Sequence, residues 1–430
     1  MKKEFFKTAL TEITKFIKSL EDTEELTGIP QGEIFFSQEG EGMLFLDGND
    51  AIRYRECLNL LSDSIQDEPI SPKVIETIFQ KTILSVLDIL EKRRDKSFLE
   101  RLDAALKSLK STIVTNPIKF EVYYPVLGLA FDGLPFQIGN VKFCQFDEEQ
   151  LMKLLFVSPA TQETDKQKEF RVSFSETIKE SEIFGKTVGL IEVQAFDITA
   201  AKVLAKKELA LTVDVINFFS DLIPYQKGYI YIPGEANQIT INIPVIIKGE
   251  KPSFSFGWEA AGPLMPLSLG QLFKNAANRN WGFTKICEFL SKNRGDFEDR
   301  VISSIQWAGK ATIESRKEEA FLLYAISLES LILLDNDNHD ELKYRLKTRV
   351  AHILGTDVGS RKTISGKIRD LYDIRSKIVH NGSYQVTDAD LSLIRYYTKS
   401  CILQLLNEKR FSTINNKIAL IDWFEEKILN

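Results

Sequence analysis

The sequence predicts a multidomain α+β protein that ends in an all-helical bundle. Its 430 residues exceed the size of one ordinary domain, and 43% of them are apolar, which suffices for several packed cores. Strand-like segments begin after Pro117, whereas from Glu314 onward every apolar pattern has helical spacing. These observations predict four parts: a mostly helical N-terminal region (1–115), an α+β module (116–262), a helical connector (263–313) and a helical bundle (314–430).

The N-terminal region carries two long segments whose apolar residues recur at helical spacing. They cover residues 74–90 and 98–113, and both predict amphipathic helices. Before them, the apolar run between Gly40 and Gly48 is bounded by turn residues and predicts a strand.

The middle module mixes strand and helix signals. Segments rich in β-branched and aromatic residues predict strands at 120–126, 139–146, 170–174 and 188–195. The polar residues 161–169 predict a loop, and the Ala, Leu and Lys content of 199–219 predicts a helix. Residues 229–233 and 238–247 predict a hairpin around Gly234. Residues 251–266 contain Gly, Pro and aromatic side chains and predict a connector.

The C-terminal region predicts four main helices, at about 314–334, 340–354, 361–380 and 387–409, and a short fifth at about 416–429. The third is expected to bury an apolar stripe of Ile364, Ile368, Leu371 and Ile374. Asn381 and Gly382 predict its end, because glycine tolerates the left-handed conformation that terminates helices.

Composition excludes several classes of protein. No apolar run approaches the roughly 20 residues needed to span a bilayer, and charged residues interrupt the N-terminal segment before a signal-peptide core can form. We therefore expect a cytoplasmic protein with no membrane contact. The four cysteines are scattered without a CxxC pair, which predicts buried thiols in a reducing compartment and neither a disulfide framework nor a zinc site.

The charge is unevenly distributed. The net charge of −6 argues against a protein that coats nucleic acid indiscriminately. Between Glu341 and His380, however, ten basic residues face four acids, a local balance of +6. This stretch predicts either a basic groove for nucleic acid or a solvated helix face, and the sequence leaves both open.

One constellation resembles an active site. Arg375-Ser-Lys-Ile-Val-His380 stands at the end of a helical segment, and Glu319-Ala-Phe-Leu-Leu-Tyr-Ala-Ile-Ser-Leu-Glu329-Ser-Leu precedes it. An arginine and a histidine separated by four residues, with a Leu-Glu-Ser-Leu helix upstream, resemble the Apea-like branch of the HEPN family over residues 314–410. The resemblance implies an all-helical domain that cleaves RNA without a metal ion or other cofactor. It also implies that Glu329 orients the motif arginine.

The residue types fit that chemistry. Cleavage by the ribose 2′-OH needs a base for its proton, an acid for the leaving 5′-oxygen and cationic charge at the phosphorane. Histidine suits the proton transfers because its pKa is ordinarily about 6.5. The planar fork of arginine donates two hydrogen bonds to phosphate oxygens. The expected products are a 2′,3′-cyclic phosphate and a 5′-hydroxyl, and use of the 2′-OH restricts the substrate to RNA.

The spacing of the two motif residues argues for a shared site. On an unbroken helix, residues five apart point about 140° away from each other, so Arg375 and His380 do not converge easily on one phosphate within one chain. A helix end at His380 relaxes this geometry. Pairing across a two-fold axis removes the difficulty, and the resemblance implies a homodimer through the C-terminal domain.

The resemblance also implies a biological setting. Apea-like proteins include toxins of bacterial abortive infection, an antiviral defence against phage. By this logic tRNA or another structured RNA is the substrate. The first 260 residues then sense a phage-derived or cellular trigger, restrain the nuclease or select the RNA.

Further residues are weaker candidates. Ser376, Lys377, Asn381, Arg369 and Lys367 are candidates for RNA binding, with exposed helix residues or a helix cap as the simpler interpretation. Glu329 and Arg375 have structural alternatives as ion pairs with neighbouring residues, and His380 has one as a helix-capping residue. His339, in a polar loop without the spacing of a calcium site, and His352 are not expected to be catalytic. An alternative function stays open: a non-catalytic module that binds a nucleotide, RNA or a protein.

Overall fold

The structure is a computed structural model that describes residues 3–21, 34–38, 42–46, 48–65, 69–87, 100, 103–109, 117–133, 136–155, 164–181, 183–223, 229–232, 239–248, 252–261, 267–333, 341–381 and 385–429. The described residues are mostly helical, with one six-stranded sheet and two sheets of two strands. They form two compact units, Met1–Phe120 with Val193–Leu204, and Glu121–Glu192 with Ala205–Asn430. A multidomain α+β fold is therefore confirmed, and the finer division into four parts stays a prediction.

The first unit is built from helices and one antiparallel hairpin. Its elements are α1 (Lys3–Glu21), β1 (Ile34–Gln38), β2 (Gly42–Leu46), α2 (Gly48–Ser64), α3 (Pro72–Leu87) and α4 (103–109). Three buried aromatic rings, Phe16, Tyr54 and Phe79, form the centre of its core, and the rings of Tyr54 and Phe79 stack with their centroids 5.2 Å apart. The predicted strand after Gly40 and the predicted helix at 74–90 are confirmed.

The second unit contains the six-stranded sheet. Its strands are β3 (Ile118–Pro125), β5 (Phe136–Ile138), β6 (Val141–Gln145), β7 (Thr187–Ala195), β8 (Ile239–Lys248) and β9 (Pro252–Ala261), in the order β5-β6-β7-β3-β8-β9. The short strands β4 (Leu129–Ala130) and β10 (Leu267–Ser268) pair in parallel beside it. Three helices accompany the sheet: α5 (Glu148–Leu155), α6 (Asp165–Glu180) and α7 (Ile198–Ser220).

Strand alternation separates the two faces of this sheet. On one face Gly189 packs against Leu209 of α7 so closely that a Cβ atom at Gly189 would lie 2.8 Å from that side chain. On the other face Val188 joins an apolar cluster with Leu151 of α5 and Phe174 of α6. The central strands therefore lie between α7 and the pair α5 and α6.

The rest of the second unit is helical. Its elements are α8 (Leu269–Asn278), α9 (Phe283–Leu290), α10 (Asp296–Ile313), α11 (Lys317–Ile332), α12 (Leu342–Leu354), α13 (Val358–Asn381), α14 (Asp388–Asn407), a 3-10 turn (Lys409–Phe411) and α15 (Lys417–Leu429). Ser304 of α10 and Ser327 of α11 are fully buried, and each hydroxyl donates to the backbone carbonyl of the other residue, at 2.9 and 2.6 Å. Helix α10 also packs on α7, because Gly309 leaves no room for a Cβ atom above the carbonyl of Asp214.

Four predictions for residues 161–266 are wrong. Residues 170–174 lie inside α6, so the predicted strand is helical, and the predicted loop is helical from Asp165 onward. Phe174 and Ile178 are buried four residues apart, which is the period of a helix. Strand β8 pairs with β9 over its whole length, whereas Tyr231 makes only an isolated bridge to Leu127.

The hairpin therefore forms across the segment that was predicted to be a connector. Residues 253–258 alternate serine or glycine with aromatic residues, and this alternation has the period of a strand. The predicted helices at 199–219 and throughout the C-terminal region are confirmed, with ends shifted by up to three residues. None of the described helices combines the length and apolar character that a membrane crossing requires.

Candidate functional site

Helices α11 and α13 bring Glu329 and Arg375 together. Each helix is fixed by an apolar stripe, with Ala325 and Leu328 buried on α11 and Ile368 and Leu371 buried on α13. Nη2 of Arg375 donates to Oε2 of Glu329 at 3.4 Å. Nε of Arg375 lies 3.1 Å from Oε1 but is not aligned for a hydrogen bond. The two side chains thus form an ion pair with one long hydrogen bond.

This ion pair lies at the edge of the apolar core. The Glu329 side chain is 20% exposed and that of Arg375 is 28% exposed. Burial raises the pKa of Glu329, and the adjacent guanidinium of Arg375 opposes this shift. The pocket beside the pair has a volume of only about 10 Å³, so the core side is closed. Contact with any ligand must come from the exposed side of the guanidinium.

His380 occupies a different face of the same helix. Helix α13 ends at Asn381, as Asn381 and Gly382 predicted, and His380 lies in its last turn, where the helical geometry still holds. Residues five apart on a helix diverge by about 140°. Arg375 faces α11, whereas the side chain of His380 is exposed. Within one chain, the helical geometry therefore directs the two motif side chains apart.

Three of the residues predicted to bind RNA share the side of α13 that carries His380. Ser376 and Lys377 precede it by four and three residues, and Arg369 precedes Ser376 by seven, spacings that place side chains on one helix face. Ser376 is half-buried and the other two are exposed. Lys367 is exposed too, but its position on the helix turns it away from His380. The helix ends at Asn381, whose side chain lies outside the described residues.

The locally basic stretch is partly occupied by structural contacts. Arg349 is buried, and its Nη1 donates to the carbonyl of Ile332 at 3.0 Å, so it belongs to the core. Three further bases pair with acids of the same stretch: Lys343 with Asp373, Arg345 with Glu341, and Arg369 with Asp370. These pairs leave the local excess of positive charge unchanged. They do, however, reduce the number of basic side chains that can reorient toward a phosphate.

The other two histidines do not join this site. His352 is half-buried on α12, where burial and the nearby Arg361 and Lys427 lower its pKa. His339 and the polar loop around it lie outside the described residues. Within the described ranges, no group of three or more His, Cys, Asp or Glu side chains is arranged to hold a metal ion.

A second cluster of charges escaped the sequence analysis. Asp221, which follows α7, is 3% exposed and accepts from Lys399 and Arg395, which lie one turn apart on α14. The hydroxyl of Tyr229 donates to Asp221 at 3.1 Å. The signal was visible in the sequence as a lysine inside the apolar run Tyr396-Tyr-Thr-Lys399-Ser-Cys-Ile. Its partner was not, because Asp221 lies 178 residues earlier.

Comparison of the chain with protein-family models, with curated proteins and with solved structures finds no match. The resemblance to the HEPN family therefore stays a prediction from the motif residues. The site has to be judged on its own geometry.

Proposed function

We propose that the chain is a metal-independent endoribonuclease of the HEPN type, whose active site combines Arg375 and His380 from two copies of α13. The observation that carries the proposal is the ion pair of Arg375 with Glu329. It fixes the partly exposed side chain of Arg375 about one and a half turns before an exposed histidine on the same helix. Glu329 is thus a positioning residue, and Arg375 and His380 are the catalytic residues.

The reaction needs no group beyond these side chains and the RNA. The 2′-oxygen attacks the phosphorus, the 2′-OH proton passes to one histidine, and the bond from phosphorus to O5′ breaks. The second histidine gives a proton to the leaving O5′. The guanidinium of Arg375 stabilises the negative charge on the phosphorane oxygens. The products are a 2′,3′-cyclic phosphate and a 5′-hydroxyl.

Two chains are needed because one helix cannot present both groups to one phosphate. The divergence of about 140° along α13 places Arg375 and His380 on different faces. A two-fold axis beside the end of α13 brings His380 of both copies to one cleft. Val379 is 51% exposed beside His380, and contact with a second copy would bury this apolar side chain.

Substrate contacts would come from the face of α13 that carries His380. Arg369, Ser376 and Lys377 are expected to contact RNA phosphates, with Asn381 at the helix end and Lys367 further from the cleft. The resemblance, rather than the geometry, supports the remaining expectations: tRNA as a substrate, a phage-derived or cellular trigger, a role in abortive infection and a cytoplasmic location.

The central experiment compares RNA cleavage by the whole chain and by the His380→Ala variant in buffer containing EDTA. We expect the variant to lose about 10²- to 10⁴-fold in rate, because a positioned acid or base contributes that much. New 5′-hydroxyl ends should accept phosphate from a polynucleotide kinase without prior treatment. Lys409→Ala, an exposed residue outside α13, serves as the control.

Equal cleavage by wild type and His380→Ala contradicts the proposal, as does cleavage abolished by EDTA. RNA that binds but is never cleaved, with or without extract from phage-infected cells, favours the alternative of a non-catalytic binding module.

The shared cleft has its own test. Wild-type and His380→Ala chains are co-expressed with different tags, and dimers carrying both tags are isolated. A cleft that needs histidines from both chains predicts mixed dimers as inactive as the variant. Mixed dimers with half of the wild-type activity, or a monomer that cleaves, contradict the shared site.

A further inference from the structure

Tyr344 is a large aromatic side chain on the solvent side of the basic stretch 341–380. It lies in the first turn of α12, and its exposed fraction is 56%. The opposite side of the same helix, with Leu346 and Ile353, is buried in the core. Because Tyr344 precedes Leu346 by two residues, the helix turns it about 160° away from that side. The ring therefore faces outward from a helix that the core holds in place.

An ion pair places the start of α12 beside the face of α13 that carries His380. Lys343, the residue before Tyr344, pairs with Asp373 of α13. Asp373 precedes His380 by seven residues, a spacing that puts both side chains on one helix face. The two positions lie about 10 Å apart along the helix axis. Tyr344 therefore borders the helix face on which RNA is proposed to be cleaved.

The charges around the ring favour a phosphate chain. Lys347 lies one turn after Tyr344, and its Nζ is 5.3 Å from the centre of the ring. It covers one face of the ring, so a flat group would stack on the other. The pair of Lys343 with Asp373 offsets a carboxylate that would otherwise repel phosphate from the face of His380. An aromatic ring beside positive charge is the arrangement by which proteins bind single-stranded nucleic acid, with a base on the ring and cations along the backbone.

We propose that Tyr344 is the stacking platform for an unpaired base of the RNA substrate, and that Lys347 contacts a phosphate next to that base. This inference rests on the proposed ribonuclease function and narrows its substrate to RNA with unpaired bases. In a duplex each base is covered by its neighbours, so no base face is available to the ring. A single strand, or an unpaired loop of a folded RNA, offers that face.

RNA binding by the whole chain tests the proposal. Every protein carries His380→Ala and the buffer contains EDTA, so that the RNA stays intact. A labelled single strand and a duplex of the same sequence are compared by fluorescence anisotropy. We expect Tyr344→Ala to weaken binding of the single strand about five- to 100-fold, because one stacked base contributes that much. Binding of the duplex should change little. Tyr344→Phe keeps the ring and should bind nearly as tightly as the parent protein.

An abasic strand of the same length separates stacking from other roles of the ring. The parent protein should prefer the strand that carries bases, and Tyr344→Ala should reduce this preference by the same factor, because the base and the ring act as a pair. Lys347→Gln should weaken both strands alike and make the slope of log affinity against log salt shallower by about 1. Tyr396→Ala removes an exposed tyrosine of α14 and is the matched control, expected to behave as the parent protein.

Several outcomes would overturn the proposal. One is a folded Tyr344→Ala variant, checked by thermal unfolding, that loses affinity equally for both strands or for neither. Another is a single strand that the parent protein does not bind at micromolar concentration. A Tyr344→Ala chain that becomes monomeric by native mass would assign the ring to a contact between copies instead.

The result is separable from the ribonuclease test. Binding that depends on Tyr344, in a wild-type chain that never cleaves RNA, would remove the nuclease and keep the base site. Cleavage that depends on His380, with RNA affinity unchanged by Tyr344→Ala, would keep the nuclease and remove the base site.

Discussion

Among the ion pairs of the second unit, the cluster around Asp221 and the pair of Glu329 with Arg375 differ in burial. Asp221 and Lys399 are 3% and 9% exposed, whereas Glu329 and Arg375 are 20% and 28% exposed. In the first cluster the carboxylate and the ammonium group are both closed to solvent, and only Arg395, which is 44% exposed, reaches it. The second is closed only toward the core. The difference indicates which cluster supports the fold and which is available to a ligand.

The number of hydrogen-bonding partners strengthens this distinction. Asp221 receives Lys399, Arg395 and the hydroxyl of Tyr229, so its oxygens are occupied by three donors. Arg375 has five N–H groups, and among the described residues only Glu329 pairs with it. A guanidinium held on one edge retains donors for a phosphate. The oxygens of Asp221 are already occupied, and they join α14 to the end of α7.

The contrast also has an energetic side. Removing one partner of a buried pair leaves an uncompensated charge and costs about 3–5 kcal/mol. A partly exposed pair loses far less, because water replaces the missing partner. The two clusters should therefore separate in experiment: one in the free energy of unfolding, the other in RNA cleavage.

The largest expected effect on stability comes from Asp221→Asn. The substitution leaves Lys399 buried without a carboxylate, so we expect the free energy of unfolding to fall by about 3–5 kcal/mol in urea titrations. Asp388→Asn, which removes an exposed carboxylate paired with Lys317, should change it by less than about 1 kcal/mol. Equal losses in the two variants would remove the distinction based on burial.

A second substitution, Glu329→Gln, should slow RNA cleavage and leave the free energy of unfolding nearly unchanged. The amide cannot hold Arg375 as the carboxylate does, so we expect cleavage to slow by about tenfold, equivalent to about 1.4 kcal/mol. The free energy of unfolding at neutral pH should stay within about 1 kcal/mol of wild type, because the buried carboxylate is itself unfavourable there. A large loss of stability with unchanged cleavage would instead make the pair structural.

The pH dependence of Glu329 has a defined sign. Its pKa in the folded chain is raised above the ordinary 4.5 by burial, so the folded state holds this proton more tightly than the unfolded state. The contribution to stability is therefore full below pH 4.5 and is lost as the pH rises through the folded pKa. Measured against Glu329→Gln, wild type should gain stability as the pH falls from neutral toward 4.5. A loss over that interval would contradict the raised pKa.

The sequence was informative where structure is local. The helical stripes of Ala325 and Leu328 and of Ile368 and Leu371 could be predicted because a period of 3.6 residues is visible in one segment. The pairing of Glu329 with Arg375 was implied by the family resemblance and not by spacing. The residues are 46 positions apart, and only the packing of α11 on α13 brings them together.

Prediction from the sequence failed where a segment shows both strand-like and helical periodicity. It also failed where the residues in contact are far apart in the chain. Phe170 and Val172 alternate like strand residues but are exposed on α6, whose buried side is set by Phe174 and Ile178. Gly257 and Trp258 belong to β9, and composition alone suggested a connector. The Asp221 cluster depends on contacts between elements 178 residues apart in the sequence, and a single sequence contains no signal for such contacts.

The smallest expected effect concerns the exposed bases that share the face of His380. Arg369→Gln should weaken RNA binding a few-fold for all sequences, because a phosphate contact carries no sequence information. The slope of log affinity against log salt should become shallower by about 1. Arg294→Gln, which removes a base paired with Asp299 outside α13, should leave that slope unchanged. Equal slopes for both variants and wild type would place RNA elsewhere. The charge excess between residues 341 and 380 would then be a solvated helix face.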